Sequence, residues 1–198
     1  MLSRPLIKCY SDGAASHRRC VHIARSVKEM REYTNVQRSR SSVPIGFVPT
    51  MGALHSGHVT LMQRARRECG VVVASIFVNP SQFSPGEDLD KYPRQFESDL
   101  KMLESAGVDC VFAPSDVKEM YRTQSLCHVE PAQFCSIHEG VRRPEFFRGV
   151  ATVVTKLFNI VQPSVAYFGQ KDVSQCILIQ RMVSDLNIPV DIQVNMIQ

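Results

Sequence analysis

The stretch "VPTMGALHSGH" (Val48–His58) sets two histidines three residues apart, with glycines at 52 and 57, directly after an apolar run. Gly52 and Gly57 carry no Cβ, so the backbone there can approach a ligand closely. Ser56 is placed to cap a helix whose first-turn N–H groups would then face an anion. On such a helical start His55 and His58 share a face. An imidazolium or a neutral ring N–H in that position can hold a phosphate and stabilise charge developing on a phosphoryl oxygen. A second segment, "YFGQKDVSQ" (Tyr167–Gln175), again reads as strand, turn and helix start. Lys171 is a compact positive charge suited to phosphate, and Asp172 sits where it can cap the next helix, or bond a ribose or the lysine. Each has a plain alternative when taken singly: a pair of surface histidines for the first, a helix cap for the second. Two such segments at the ends of strands in one domain point to a single site for an anionic ligand.

The elements that must position these residues alternate along the chain. "VPIGFVP" (Val43–Pro49) suits a buried strand, and the following "HSGHVTLMQRARREC" carries a helical apolar stripe at Val59, Leu61, Met62 and Ala65. "VVVASIFV" (Val71–Val78) is apolar on both faces, as a central parallel strand requires. A Pro- and Gly-rich loop then leads to the helix "RQFESDLKMLESAG", with Phe96, Leu100 and Leu103 on one side and Gly107 at its end. "VDCVFAP", "SVAYFG" and "IPVDIQV" read as further strands, and "RGVATVVTKLFNIVQ" and "DVSQCILIQRMVSDL" as the helices between them. Strands separated by helices of this length predict an α/β domain, a Rossmann-like doubly wound parallel sheet with helices on both faces. Such a sheet builds its sites past the carboxyl ends of the strands, where both motifs fall. Residues 1–20 are expected to form a disordered or targeting tail, Val21–Tyr33 a helix, and residues 21–198 one nucleotide-binding domain.

Composition narrows the class. At 198 residues the chain supports one full hydrophobic core, and no apolar run approaches the roughly 18–20 residues that span a bilayer. The net charge of +4 is uneven: residues 1–40 hold nine Lys/Arg against three Asp/Glu, which leaves 14 basic against 16 acidic residues for the rest. A body without a basic stripe is a poor nucleic-acid binder. The basic start resembles an organelle transit peptide, or equally a solvated tail. Seven cysteines without a CxxC pair argue against a disulfide framework or a structural zinc site, and for a reducing compartment.

The motifs carry a resemblance. "HSGH" is a form of the HxGH signature of nucleotidyltransferases and class I aminoacyl-tRNA synthetases. Five segments in order, "VPTMGALHSGH", "SIFVNPSQF", "DLDKYPR", "FRGVATVVTKLFNIVQP" and "FGQKDVSQ", are together similar to the pantothenate synthetase (pantoate–β-alanine ligase) family. The resemblance covers about Val43 to Val194 and implies a fold of the nucleotidyltransferase type. It implies that ATP and pantoate form pantoyl adenylate with Mg²⁺ assisting, and that β-alanine then displaces AMP. It places Met51, Gly52, Ala53, Leu54, His55, Ser56, Gly57 and His58 along the ATP site, with His58 as proton donor, and Gly169, Gln170, Lys171 and Asp172 on the nucleotide. His55, His58 and Lys171 form the catalytic group. Gln82 is expected to hold pantoate and β-alanine, Gln175 pantoate, with Asn79, Tyr92 and Arg148 as a second tier and no protein-bound metal.

The resemblance further implies a cytoplasmic homodimer without nucleic-acid or membrane partners, or an organellar one if the basic start is a transit peptide. The apolar strand "SIFVNP" is an expected dimerising edge. The family continues beyond the last strand into a Ser-Ser-Arg loop and a small lid domain, whereas this sequence stops at "NMIQ". Hence the alternative expectations: a truncated, catalytically impaired fragment, isoform or paralogue that binds ATP or pantoate, or another HxGH nucleotidyl transferase.

Overall fold

The computed structural model describes residues 20–83, 89, 92–122, 125–135 and 138–195; the expected tail, Cys20 excepted, lies outside them. Six strands form one parallel sheet: β1 (His22–Ala24), β2 (Ile45–Thr50), β3 (Val71–Ile76), β4 (Cys110–Phe112), β5 (Val165–Gly169) and β6 (Asp191–Asn195). Their order across the sheet is β1-β4-β3-β2-β5-β6. The helices are α1 (Val27–Arg40), α2 (Ser56–Glu68), α3 (Phe96–Ser105), the short α4 (Ala132–Cys135) and α5 (His138–Arg142), α6 (Pro144–Val161) and α7 (Val173–Asp185).

Side-chain alternation divides the core in two. On β2, Phe47 faces one side and Val48 the other; on β3, Val71 and Val73 oppose Val72 and Ala74. The first face is covered by α1, α6 and α7 through Met30, Val154, Leu157 and Ile179. The second face carries α2 and α3 through Leu61, Met62, Ala65 and Leu103. Both faces of a parallel sheet must be covered because its strands are apolar throughout, and the expected doubly wound arrangement is the one observed. From β2 the chain winds outward to β3 and β4, then crosses back to β5 and β6 on the other side. The crevice between the carboxyl ends of β2 and β5 is therefore where the winding reverses.

Two expectations are corrected. Val21–Tyr33 is not one helix: His22–Ala24 pair with Cys110–Phe112 as an edge strand, and the helix starts at Val27. Ser26 accepts from the Glu29 N–H at 3.2 Å while the Glu29 carboxylate accepts from the Arg25 N–H at 2.6 Å, so the chain is stopped from coiling earlier. Nor is the strand of "SIFVNP" an edge available to a second copy, because β3 is hydrogen-bonded to β2 on one side and β4 on the other. Among the described residues no helix is long and apolar enough to cross a membrane.

Candidate functional site

The turn after β2 is built around a buried carboxylate. Gly52 takes φ +88° and Ala53 φ +50°, left-handed conformations that turn the chain back over the sheet. The Ala53 and Leu54 N–H groups donate to Asp99 Oδ2 at 3.0 Å and Oδ1 at 2.8 Å. Asp99 comes from α3 and is 2% exposed. In the sequence it lies inside an apolar stripe, between Phe96 and Leu103 on the same helix face. A charged residue at a core position was the available signal.

Helix α2 starts with a cap that differs from the expected one. His55, not Ser56, is the N-cap: its Nδ1 accepts from the Gly57 N–H at 3.1 Å, and His58 Nδ1 accepts from the His55 N–H at 3.4 Å. Ser56 is the exposed first residue of the helix. The imidazole wins because its Nδ1 reaches the N–H two residues on, and His58 returns the bond to the cap backbone. With both Nδ1 atoms accepting, the neutral rings carry their protons on Nε2, as the bonding pattern assigns. The two rings lie 4.1 Å apart by centroid. Burial, then the neighbouring His55, push the His58 pKa down to about 4, Asp99 acting in the opposite sense and Lys171 in the same sense. At neutral pH His58 is thus an uncharged donor.

A cleft of about 280 Å³ opens at the reversal point. Its wall includes Met51, Gly52, His55 and His58 from the first motif, Gly169, Lys171 and Asp172 from the second, and Gln82, Gln175, Asn79 and Tyr92. Ala53, Leu54, Ser56, Gly57, Gln170 and Arg148 do not line it. Leu54 is buried in the core on the α2 side, the Ala53 and Leu54 N–H groups are taken by Asp99, and the Gly57 N–H is taken by His55. Arg148 pairs instead with Glu145 on its own helix, and lies 3.8 Å from Glu130. Asp172 occupies the N-cap position of α7 but its side chain makes no capping bond, which leaves the carboxylate to the cleft.

Gln82 sits in the short 3-10 turn Pro80–Gln82, seated against α6 at Gly149. A Cβ added there would overlap the Ser81 carbonyl oxygen and come within 2.9 Å of the Gln82 N. Gly149→Ala is expected to destabilise the fold by about 1–3 kcal/mol, as overpacking does. The denaturant midpoint measures this, and an unchanged midpoint would contradict so close a seat.

A parallel sheet with an HxGH cap past one strand and a lysine-bearing turn past its neighbour defines a nucleotidyltransferase-like α/β domain. The chain belongs to the pantoate–β-alanine ligase family, whose sequence model, described as Pantoate-beta-alanine ligase, matches residues 22–198. It is 53% identical over 169 residues to the pantothenate synthetase of Thermotoga petrophila, covering 85% of this chain and 60% of that protein. Pantothenate synthetase 1 of Bradyrhizobium diazoefficiens is 57% identical over 148 residues, covering 75% and 52% of the two chains. Among solved structures, pantothenate synthetase from Thermus thermophilus superposes with TM-score 0.82 at 46% identity, covering 89% of this chain and 62% of that one. Pantoate-beta-alanine ligase from Francisella tularensis, complexed with β,γ-ATP and β-alanine, gives TM-score 0.84 at 41% identity, covering 90% and 67%. The chain thus spans 60% or less of these two curated relatives.

Proposed function

We propose that this domain binds ATP and pantoate in the β2/β5 cleft and serves the ATP-dependent condensation of pantoate with β-alanine. One observation carries the reading: two imidazoles, one ammonium and the neutral amides of Asn79, Gln82 and Gln175 converge on a single cleft at the reversal point of the sheet. The naming of the relatives and the ligands of the Francisella tularensis enzyme support it.

In the first step a pantoate carboxylate oxygen attacks the α-phosphorus of ATP. An O–P bond forms, the bond to the bridging oxygen breaks, and pyrophosphate leaves. Two anions must meet, so the barrier is largely charge repulsion. The Nε2–H groups of His55 and His58 and the Lys171 ammonium face the phosphates and take up the developing charge. Met51, Gly52, Gly169, Lys171 and Asp172 would flank the nucleotide. Gln82 would hold pantoate and then β-alanine, and Gln175 pantoate, since an amide offers both donor and acceptor to hydroxyl and carboxylate oxygens. The β-alanine amine then attacks the acyl carbon: an N–C bond forms, the acyl C–O bond to the phosphate breaks, AMP leaves with that electron pair, and the proton shed by the nitrogen passes to solvent. Among the described residues no three His, Cys, Asp or Glu form a metal cage. Mg²⁺ needs only one or two carboxylates beside phosphate oxygens, and Asp172, the acid on the cleft wall, fits that need. When bound, the ion would neutralise phosphate charge.

The proposed compartment is a reducing one, the cytoplasm or an organelle matrix, supported by the free thiols of Cys69, Cys110 and Cys176. A homodimer would have to use a surface other than β3.

The reading is tested by pantoate-dependent exchange of labelled pyrophosphate into ATP by the 198-residue chain. Exchange is expected, and Lys171→Met is expected to slow it about 100-fold, the usual effect of losing one preorganised group on a transferring phosphoryl. ATP binding with no exchange under any pantoate concentration would overturn the proposed adenylation.

A further inference from the structure

The turn that carries Gln82 is held by a buried side chain of the cleft wall, itself anchored from outside the cleft. Asn79 is 1% exposed and its amide is used at both ends. Its Oδ1 accepts from the Tyr121 hydroxyl at 2.8 Å, the Ser81 hydroxyl at 2.9 Å and the Ser81 N–H at 3.3 Å. Its Nδ2 donates to Gln82 Oε1 at 3.0 Å and to the Gly149 carbonyl at 3.3 Å. The Ser81 N–H can only donate and the Gly149 carbonyl can only accept, so these two contacts fix the amide orientation, with the hydroxyls and Gln82 falling in with it. Gln82 Oε1 is thereby occupied. Its Nε2 has no protein acceptor among the described residues, so the end left for a ligand is a pair of N–H donors.

Tyr121 reaches this amide from the chain beyond β4. Its ring packs beside Phe77, with centroids 6.3 Å apart, and under the Lys156 ammonium at 4.8 Å. It does not line the cleft. Burial raises its pKa, the Ser81 bond acting the other way, so the phenol stays protonated and can donate.

We infer that Tyr121 is a positioning residue for recognition of the acid substrate: its hydroxyl fixes the Asn79 amide, which in turn holds Gln82 with its Nε2–H donors toward the cleft. The inference rests on the assignment of Gln82 to pantoate. Without the hydroxyl, Asn79 Oδ1 keeps only the two local Ser81 donors, and the one Oδ1 bond that ties this amide to the chain beyond β4 is lost, so Gln82 is held less firmly. Oxygen-rich ligands would then meet a less firmly held amide, while the phosphate-binding groups on α2 and on the turn after β5 stay as they are.

The test is calorimetric titration of pantoate and, separately, of ATP into the wild-type chain, Tyr121→Phe, Gln82→Ala and the double variant. Tyr121→Phe is expected to weaken pantoate about tenfold, the order of one hydrogen bond, while ATP affinity moves less than twofold. The double variant should be no weaker than Gln82→Ala alone, since both act through one group. Pantoate affinity unchanged in Tyr121→Phe but lost in Gln82→Ala would overturn the inference and leave the cleft assignment standing. Equal losses of pantoate and ATP affinity in Tyr121→Phe would also overturn it, by showing a general structural role. No pantoate binding by the wild-type chain, or none lost in Gln82→Ala, would overturn the cleft assignment and the inference with it.

Discussion

Replacing His58 with Ala is expected to lower pantoate-dependent pyrophosphate exchange by about two to three orders of magnitude, the effect of removing a preorganised donor from developing charge. The expectation follows from how the ring is held. Its Nδ1 is bonded to the His55 N–H at 3.4 Å, its ring lies beside that of His55, and its Nε2–H is what remains for a phosphate. His58→Gln, which returns an N–H at a similar reach, should recover part of the loss. If Ala and Gln variants were equally slow, the Nε2–H would not be the group at work.

The same ring sets a pH dependence of stability. The folded pKa of about 4 lies below the ordinary value of 6.5 because the ring is buried beside His55. Between those values the unfolded chain binds more protons than the folded one, so unfolding becomes easier as pH falls through that window. The stabilising contribution is whole above about 6.5 and lost below about 4. Wild type should therefore lose more stability between pH 7 and pH 4 than His58→Gln does, as read from denaturation midpoints. Parallel losses would show that the ring is not held neutral.

Asp99→Ala is expected to be the most destabilising single change, about 3 kcal/mol, because each buried N–H left without a partner costs about 1–3 kcal/mol. The two groups concerned are the Ala53 and Leu54 N–H groups, in a turn that places two residues in left-handed backbone. In a domain of this size the melting temperature should fall by about 6–12 °C. Asp99→Asn keeps one acceptor oxygen but turns an NH₂ toward an N–H, so it should lie between Ala and wild type. ATP affinity should fall with stability in both, since Met51 and Gly52 on the cleft wall belong to the turn that Asp99 holds. A melting temperature within 1–2 °C of wild type in Asp99→Ala would mean the turn holds its own shape.

The alternation of β-branched runs with helical stripes was enough for the parallel sheet, because Val71–Ile76 is apolar on both faces and Leu61, Met62 and Ala65 repeat at helical spacing. The two motifs were legible for a related reason. A short segment after a strand keeps its neighbours in space, so His55 and His58, three residues apart, had to share a helix face. The convergence of Lys171, Gln82 and Gln175 with them also followed, once the strands were known to run parallel with their carboxyl ends together.

What sequence periodicity did not reveal were bonds between distant segments. The three-residue strand at His22–Ala24 is held by pairing with Cys110–Phe112, and nothing in its own few residues outweighs a helical reading. Asp99 acts on a turn 46 residues away, and Tyr121 on an amide 42 residues away. Whether the Ala53 and Leu54 N–H groups face a ligand or a carboxylate, and whether His58 is charged, depend on burial and on neighbours that only packing brings. Local spacing by itself determined strands β2–β6, helices α2, α3, α6 and α7 and the identity of the motifs; the tertiary structure alone decided the edge strand β1 and which of the motif groups are free to meet a ligand, because strand pairing, hydrogen-bond partners and desolvation are set by contacts across the fold rather than along the chain.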